Sequence, residues 1–171
     1  RSDGQPVTVG RVEKMSKSKK NTVAPEEIFD VYGVDAARLF TLSDSPPERD
    51  SQWTTGGVQG SWRFVNRVWD EFDSQPAGAT TIIPGDTQAD ELRTLTHRTI
   101  RAVTEAIETF RYNSGIARMY ELLNKLKELP AAKASPAVMA ARHEALSAFA
   151  RLVAPFETLL VRLYAQDAET E

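Results

Sequence analysis

The sequence predicts a mainly α fold, an antiparallel four-helix-type bundle over residues 55–171 preceded by a short β/α unit over residues 1–54. Three observations predict it. From Gly56 onward apolar residues recur at helical steps of three and four, whereas the only strand-like alternation lies earlier, at Val7, Val9 and Val12. Proline, glycine and capping residues divide the later part into four helical segments whose short connections make neighbours antiparallel. At 171 residues and 41% hydrophobic, the chain has enough apolar surface for a core without disulfide staples.

In chain order, the alternation at residues 7–12 predicts a short strand or hairpin arm. It runs into the polar, lysine-rich stretch "EKMSKSKKN" at residues 13–21, which predicts an exposed loop. Pro25 suits a first helical turn, Glu26 and Glu27 complement the positive end of that helix, and Gly33 stops it. Asp35 is the expected cap of a second short helix through Leu39, Phe40 and Leu42, ending before Pro46 and Pro47. In the first bundle helix, Val58, Trp62, Val65, Trp69 and Phe72 form the expected core stripe, both tryptophans included.

Residues 73–86, rich in Pro, Gly, Ser and Thr, predict a linker. The second bundle helix carries Leu92, Leu95, Ile100, Val103, Ile107 and Phe110. The third is expected to start with Asn113 as cap and to bury Ile116, Met119, Tyr120, Leu123 and Leu126. Ser135 and Pro136 open the fourth, with Leu146, Phe149 and Val153 inward, and Pro155 interrupts it before Leu159, Leu160 and Leu163.

Composition removes several chemistries. There is no cysteine, hence no disulfide framework, thiolate nucleophile or Cys-based zinc site, and two histidines are too few for a metal cluster. No apolar run reaches the roughly 18 residues of a membrane span, and no signal-peptide pattern opens the chain. A soluble, cytoplasmic protein is the expectation. The net charge of −3 conceals an uneven distribution: Arg1, Arg11, Lys14, Lys17, Lys19 and Lys20 face only Asp3 and Glu13 in the first twenty residues, while the last fifteen are acidic. The first end attracts a polyanion.

A loop bearing Lys14, Ser16, Lys17 and Ser18 has the chemistry to hold phosphate. Lysine supplies a compact charge, serine a hydroxyl donor, and a flexible segment can close over a ligand. Met15, apolar among charges, is expected to pack inward and anchor the loop. Composition alone is equally compatible with a solvated charge run.

The order of residues adds to this. Lys14-Met15-Ser16-Lys17-Ser18 is identical to the second signature of the class I aminoacyl-tRNA synthetases. Residues 21–40 resemble the subgroup activating leucine, isoleucine and valine, through Asn21, Pro25, Tyr32-Gly33, Asp35 and Arg38-Leu39-Phe40. Ser45-Pro46-Pro47, Asp50, Trp53, Gly57-Val58, Gly60, Arg63-Phe64 and Arg67-Val68-Trp69 resemble the leucine-specific members most. The resemblance covers residues 10–129 firmly. It departs at Pro155-Phe156, where the family's following proline and histidine are replaced by Glu157 and Thr158, and at the more polar Thr41 and Ser51.

The resemblance implies that leucine attacks the α-phosphate of ATP, pyrophosphate leaves, and the leucyl group passes to tRNA(Leu). It implies that Lys14, Met15, Ser16, Lys17 and Ser18 contact ATP, with Lys17 as the catalytic member against the departing phosphates and Mg2+ arriving with the nucleotide. No cofactor is expected to be held by this chain alone, and no membrane or DNA partner is expected. The family's His-x-Gly-His signature is not in the chain, so His97 and His143 are expected on helix surfaces and the chain is expected to be inactive by itself. The bundle corresponds to the family's anticodon-binding domain, with Arg63, Arg67, Arg98, Arg101, Arg118 and Lys125 as candidate tRNA phosphate contacts. Exposed arginines that merely solubilise a bundle, and a non-catalytic helical RNA-binding module, are the alternatives, together with the valine or isoleucine homologue.

Overall fold

In a computed structural model, residues 10–76, 81 and 83–156 are described. Among them the regular elements are six α-helices and two short 3-10 turns, with no strand: α1 Pro25–Tyr32, α2 Val34–Ser43, α3 Thr55–Asp73, α4 Thr87–Glu108, α5 Tyr112–Glu128 and α6 Pro136–Val153. Val7, Val9, Leu159, Leu160 and Leu163 lie outside the described residues, and Val12 belongs to irregular, exposed chain.

The short helices form as their residues dictate. Pro25 occupies the first turn of α1, followed by Glu26 and Glu27. Gly33, at φ 80°, separates α1 from α2 in a backbone conformation that a side chain disfavours. Asp35 falls in the first turn of α2, and the cap position belongs to Gly33. Because α2 already begins at Val34, Asp35 lies within its first turn, where it complements the positive end of the helix.

The four long helices α3–α6 surround one core. Leu92 and Val103 from α4, Ile116, Met119, Leu122, Leu123 and Leu126 from α5, and Ala141, Ala145, Leu146, Phe149 and Val153 from α6 meet Phe64 and Val68 of α3. Fully burying each large side chain contributes about 1.5–3 kcal/mol, so this cluster dominates the stability. α4 packs on both α5 and α6. α2 packs on α3 and reaches α5, placing Leu39 in the same core. The early unit is thus fastened to the bundle. Arg38 adds a polar tie, donating from Nη2 to Pro155 O at 3.2 Å and from Nε to Phe156 O at 3.4 Å.

Caps fix the ends. Thr54 Oγ1 accepts from Gly57 N at the start of α3, Asp86 Oδ1 accepts from Gln88 and Ala89 N at α4, and Ser135 Oγ accepts from Val138 N at α6. Ser135 also donates to Asp86 Oδ2 at 2.7 Å, joining the first turns of α4 and α6.

Three core assignments differ from expectation. Trp62 and Trp69 are 41% and 44% exposed, because the face of α3 that meets the core centres on Val58, Ser61, Phe64 and Val68 and leaves both indoles on its flank. Phe110 lies beyond α4, 61% exposed, with φ 56°. It closes a Schellman turn in which Arg111 N donates to Ala106 O at 2.7 Å and Phe110 N to Ile107 O at 3.2 Å, a place usually given to glycine. Asn113 is the second residue of α5, which has Arg111 at its cap position and no side-chain cap bond, and Asn113 Oδ1 is buried with no hydrogen-bond partner among the described residues.

A lysine loop and a basic helical surface as candidate functional sites

The lysine loop is short because its own polar groups fold it. Lys17–Lys19 form a 3-10 turn capped by Ser16, whose Oγ accepts from Lys19 N at 3.3 Å and lies 3.2 Å from Ser18 Oγ. Lys20 closes the turn at φ 51°, its N–H donating to Lys17 O at 3.2 Å. Asn21 then staples the two ends: Oδ1 accepts from Ser16 N at 2.8 Å and Nδ2 donates to Lys14 O at 3.4 Å. The sequence singled out Asn21 only as part of a motif. Its bond pattern shows an asparagine completing a backbone turn.

The loop's cations divide by partner. Lys19 Nζ sits 2.8 Å from Glu13 Oε2. Lys14, Lys17 and Lys20 are exposed and form no ion pair among the described residues. Lys17 therefore projects from a turn held at both ends, flanked in sequence by two serines, and among the described residues no carboxylate competes for its ammonium group. Such a group is free to bind a phosphate oxygen. Met15 is 41% exposed and lines an apolar hollow of about 440 Å3 with Val23, Ile28, Phe29, Leu42 and Trp53. Contrary to the expectation of an inward-packed anchor, it is not buried, although it faces a hollow whose other walls come from α1, α2 and their flanks. Trp53 in turn meets Phe40 edge to face, with ring centroids 5.1 Å apart.

The six basic residues expected to meet RNA are spread over three helices, and their surroundings differ. On α3, Arg63 is exposed and Arg67 Nη2 donates to Asn124 Oδ1 at 2.6 Å. On α5, Arg118 Nη1 is 2.7 Å from Glu121 Oε1, and Lys125 Nζ is 3.4 Å from Glu91 and 3.5 Å from Glu128. On α4, Arg98 and Arg101 are exposed, lack an acidic partner among the described residues, and line one hollow with Arg93 and His97. The structure thus groups Arg98 and Arg101 at one hollow, and Arg98 also lines a second with Glu91, the carboxylate that Lys125 meets. His97 is exposed as expected, whereas His143 is half-buried.

Sequence reasoning missed Arg93 and Glu144. Arg93 Nε lies 3.3 Å from Glu144 Oε2, and His97 Nε2 lies 3.0 Å from Glu144 Oε1. The spacing of residues 93, 97 and 101 by fours was a readable signal that they share a helix side. It also missed Arg142, fully buried in α6, which no surface pattern announces.

Comparisons with known proteins agree with the motif. The model of class I tRNA synthetases (I, L, M and V) matches residues 7–54. A leucine–tRNA ligase of Caulobacter sp. strain K31 is 63% identical over 153 residues, which cover 90% of this chain and 18% of that protein. Its counterpart in Granulibacter bethesdensis is 49% identical over 160 residues, covering 89% of this chain and 18% of the relative. The chain therefore spans about a fifth of the length of the relatives it matches. A crystal structure of the ternary complex of Agrobacterium radiobacter K84 agnB2 LeuRS with tRNA and LeuAMS superposes with a TM-score of 0.76 at 28% identity, covering 89% of this chain and 20% of that one.

Proposed function

The chain is homologous to leucine–tRNA ligases across 90% of its length, and from that premise we propose that it works as the phosphate-binding loop and helical RNA-holding part of such an enzyme. Residues 1–54 belong, on this reading, to the end of the catalytic domain, and residues 55–171 to the anticodon-binding-type domain. The reaction is activation of leucine with ATP and transfer of the leucyl group to tRNA(Leu). The parent protein is assigned to the cytoplasm, where it would meet its tRNA.

The observation that carries the reading is Lys17, exposed and unpaired among the described residues, on a turn pinned by Ser16 and Asn21 within the Lys14–Ser18 motif. In the activation step a carboxylate oxygen of leucine bonds to the α-phosphorus of ATP while the bond to the bridging oxygen of the β-phosphate breaks. Negative charge accumulates on the leaving pyrophosphate. An ammonium group that meets this charge only as it develops binds the transition state more tightly than the ground state and so raises the rate. Lys14 and the hydroxyls of Ser16 and Ser18 contribute further phosphate contacts, and Met15, resting in its apolar hollow, gives the loop a hinge about which to close. Mg2+ accompanies the nucleotide and neutralises part of its charge.

The helical part holds tRNA(Leu) through its phosphates, with Arg63, Arg67, Arg98, Arg101, Arg118 and Lys125 as contacts. Support comes from the basic side chains exposed on α3, α4 and α5 and from the likeness to a synthetase solved with tRNA. Because the chain spans 18% of its relatives, the leucine pocket and the remainder of the ATP site are assigned to the rest of the parent protein. Leucine-dependent exchange of pyrophosphate into ATP tests this division of labour. The full-length protein is expected to catalyse it and the isolated chain to show only background. Turnover by the isolated chain contradicts the division, and none by the full-length protein contradicts the assignment.

A further inference from the structure

On α4, Arg93, His97 and Arg101 stand four residues apart with Arg98 beside them, which sets four basic side chains along one side of the helix. Together with Asp90 and Thr94 they line an open hollow of about 670 Å3. Arg98 and Arg101 are exposed and have no acidic partner among the described residues. Arg93 is the anchored member. Its side chain is 13% exposed, its Nη1 lies 3.6 Å from Asp90 Oδ1, and its Nη2 is buried with no hydrogen-bond partner among the described residues.

Glu144 reaches into this group from α6. One carboxylate oxygen is 3.3 Å from Arg93 Nε and the other 3.0 Å from His97 Nε2, so a single anion bridges two of the four basic side chains. We propose that this hollow is a seat for the phosphodiester backbone of folded RNA and that Glu144 is an internal anion competing with the RNA for Arg93 and His97. The inference rests on the reading of the bundle as the RNA-holding part, and it adds a location and a competitor to it.

The chemistry favours a phosphate chain over a free nucleotide. No Phe, Tyr or Trp lines the hollow among the described residues, and its imidazole, His97, is engaged by Glu144, so a base would find no open stacking platform. Residues 93 to 101 extend over about 12 Å of helix, long enough to meet more than one phosphate. A guanidinium fork accepts a phosphate as readily as a carboxylate, and a partly exposed ion pair such as Arg93–Glu144 is weak enough to exchange. Asp90, 61% exposed at the edge, opposes binding as Glu144 does, so two carboxylates stand against three arginines and His97.

The test is a titration of labelled tRNA(Leu) with the full-length protein containing this chain, repeated at several salt concentrations. The double variant Arg98→Ala/Arg101→Ala is expected to bind at least tenfold more weakly and to flatten the dependence of log affinity on log salt by about 1.4–1.8, which is two contacts at roughly 0.7–0.9 each. Glu144→Gln is expected to tighten binding severalfold. Cooperative thermal melts establish that both variants are folded; Arg98 and Arg101 are exposed, whereas Glu144 is half-buried and its variant is compared at a temperature well below its own midpoint. If the double variant binds with undiminished affinity and slope while the unmodified protein binds tRNA in a salt-dependent way, the seat is overturned and the RNA-holding reading stands. If the unmodified protein shows no salt-dependent binding, both fall. Weaker binding by Glu144→Gln overturns the competitor role.

Discussion

Arg142 Nη2 lies 2.8 Å from Glu71 Oε2, an ion pair that joins α6 to α3 with the arginine side chain fully buried and the glutamate 16% exposed. The same guanidinium donates from Nη1 to the carbonyls of Leu126 and Leu129, each at 2.6 Å, and from Nε to Gln75 Oε1 at 3.2 Å. Leu126 and Leu129 close α5, where carbonyl groups lack the full set of helical donors, Leu126 O accepting only from Leu129 N within the backbone, and carry partial negative charge. One side chain therefore satisfies the ends of α3 and α5 from α6.

Removing that side chain leaves a nearly buried carboxylate without its cation and the Leu129 carbonyl without this donor, while Leu126 O keeps only its bond from Leu129 N. Arg142→Ala is expected to destabilise the protein by about 3–5 kcal/mol. Glu71→Gln, which keeps the Arg142–carbonyl bonds, is expected to cost less, about 1–3 kcal/mol. Denaturant unfolding of both variants checks the ranking; equal small losses would show that the cluster does not hold the helices together.

Two adjacent glycines in α3 are expected to respond in opposite directions. A Cβ on Gly57 would overlap Phe40 Cε2 and come within 2.9 Å of Phe40 Cδ2 and Thr54 Oγ1, and the ring is held by burial and by Trp53. A Cβ on Gly56 meets nothing within 4 Å. Gly57→Ala should therefore destabilise by about 1–3 kcal/mol through overpacking. Gly56→Ala should stabilise by about 0.5–1 kcal/mol through helix propensity. Thermal melts of the two variants distinguish the signs.

Asp86 supplies a pH dependence. The Ser135 hydroxyl and the backbone N–H of Ala89 hold its carboxyl below the ordinary value of 3.8, with smaller support from Gln88 N–H and Arg93. A carboxyl lowered by folding contributes stability that is present above the ordinary value and lost as pH falls through the lowered one. Carbon-detected NMR titration of the Asp86 carboxyl should give a midpoint below 3.8. The stability difference between the protein and its Asp86→Asn variant, which retains a capping side chain, should shrink on acidification across that range. A difference that grows as pH falls would contradict the linkage.

Much of this architecture was legible because local chemistry fixed it. Pro25, Gly33, Ser135 and Pro136 mark helix ends through rules that act within one turn, and the structure uses each of them. The tryptophans were misplaced for a geometric reason: steps of three and four define a stripe, but the partners of α3 decide where its centre lies, and they select Ser61 and Phe64 over Trp62 and Trp69. Arg142 was illegible because its acceptors come from α3, α5 and the segment after α3, distant in sequence. In the candidate site, the phosphate-binding residue types could be read directly. Their sorting into paired and unpaired cations could not, since Glu13, Glu91 and Glu144 find their partners only after folding.

The central claim is that the ammonium group of Lys17 neutralises charge on departing pyrophosphate, and pre-steady-state measurement of leucyl-adenylate formation by the full-length protein tests it most directly. Lys17→Ala is expected to slow the step roughly a hundredfold, equivalent to about 3 kcal/mol of transition-state stabilisation, with leucine affinity little changed. Adenylate formation at the unmodified rate in Lys17→Ala would contradict the account.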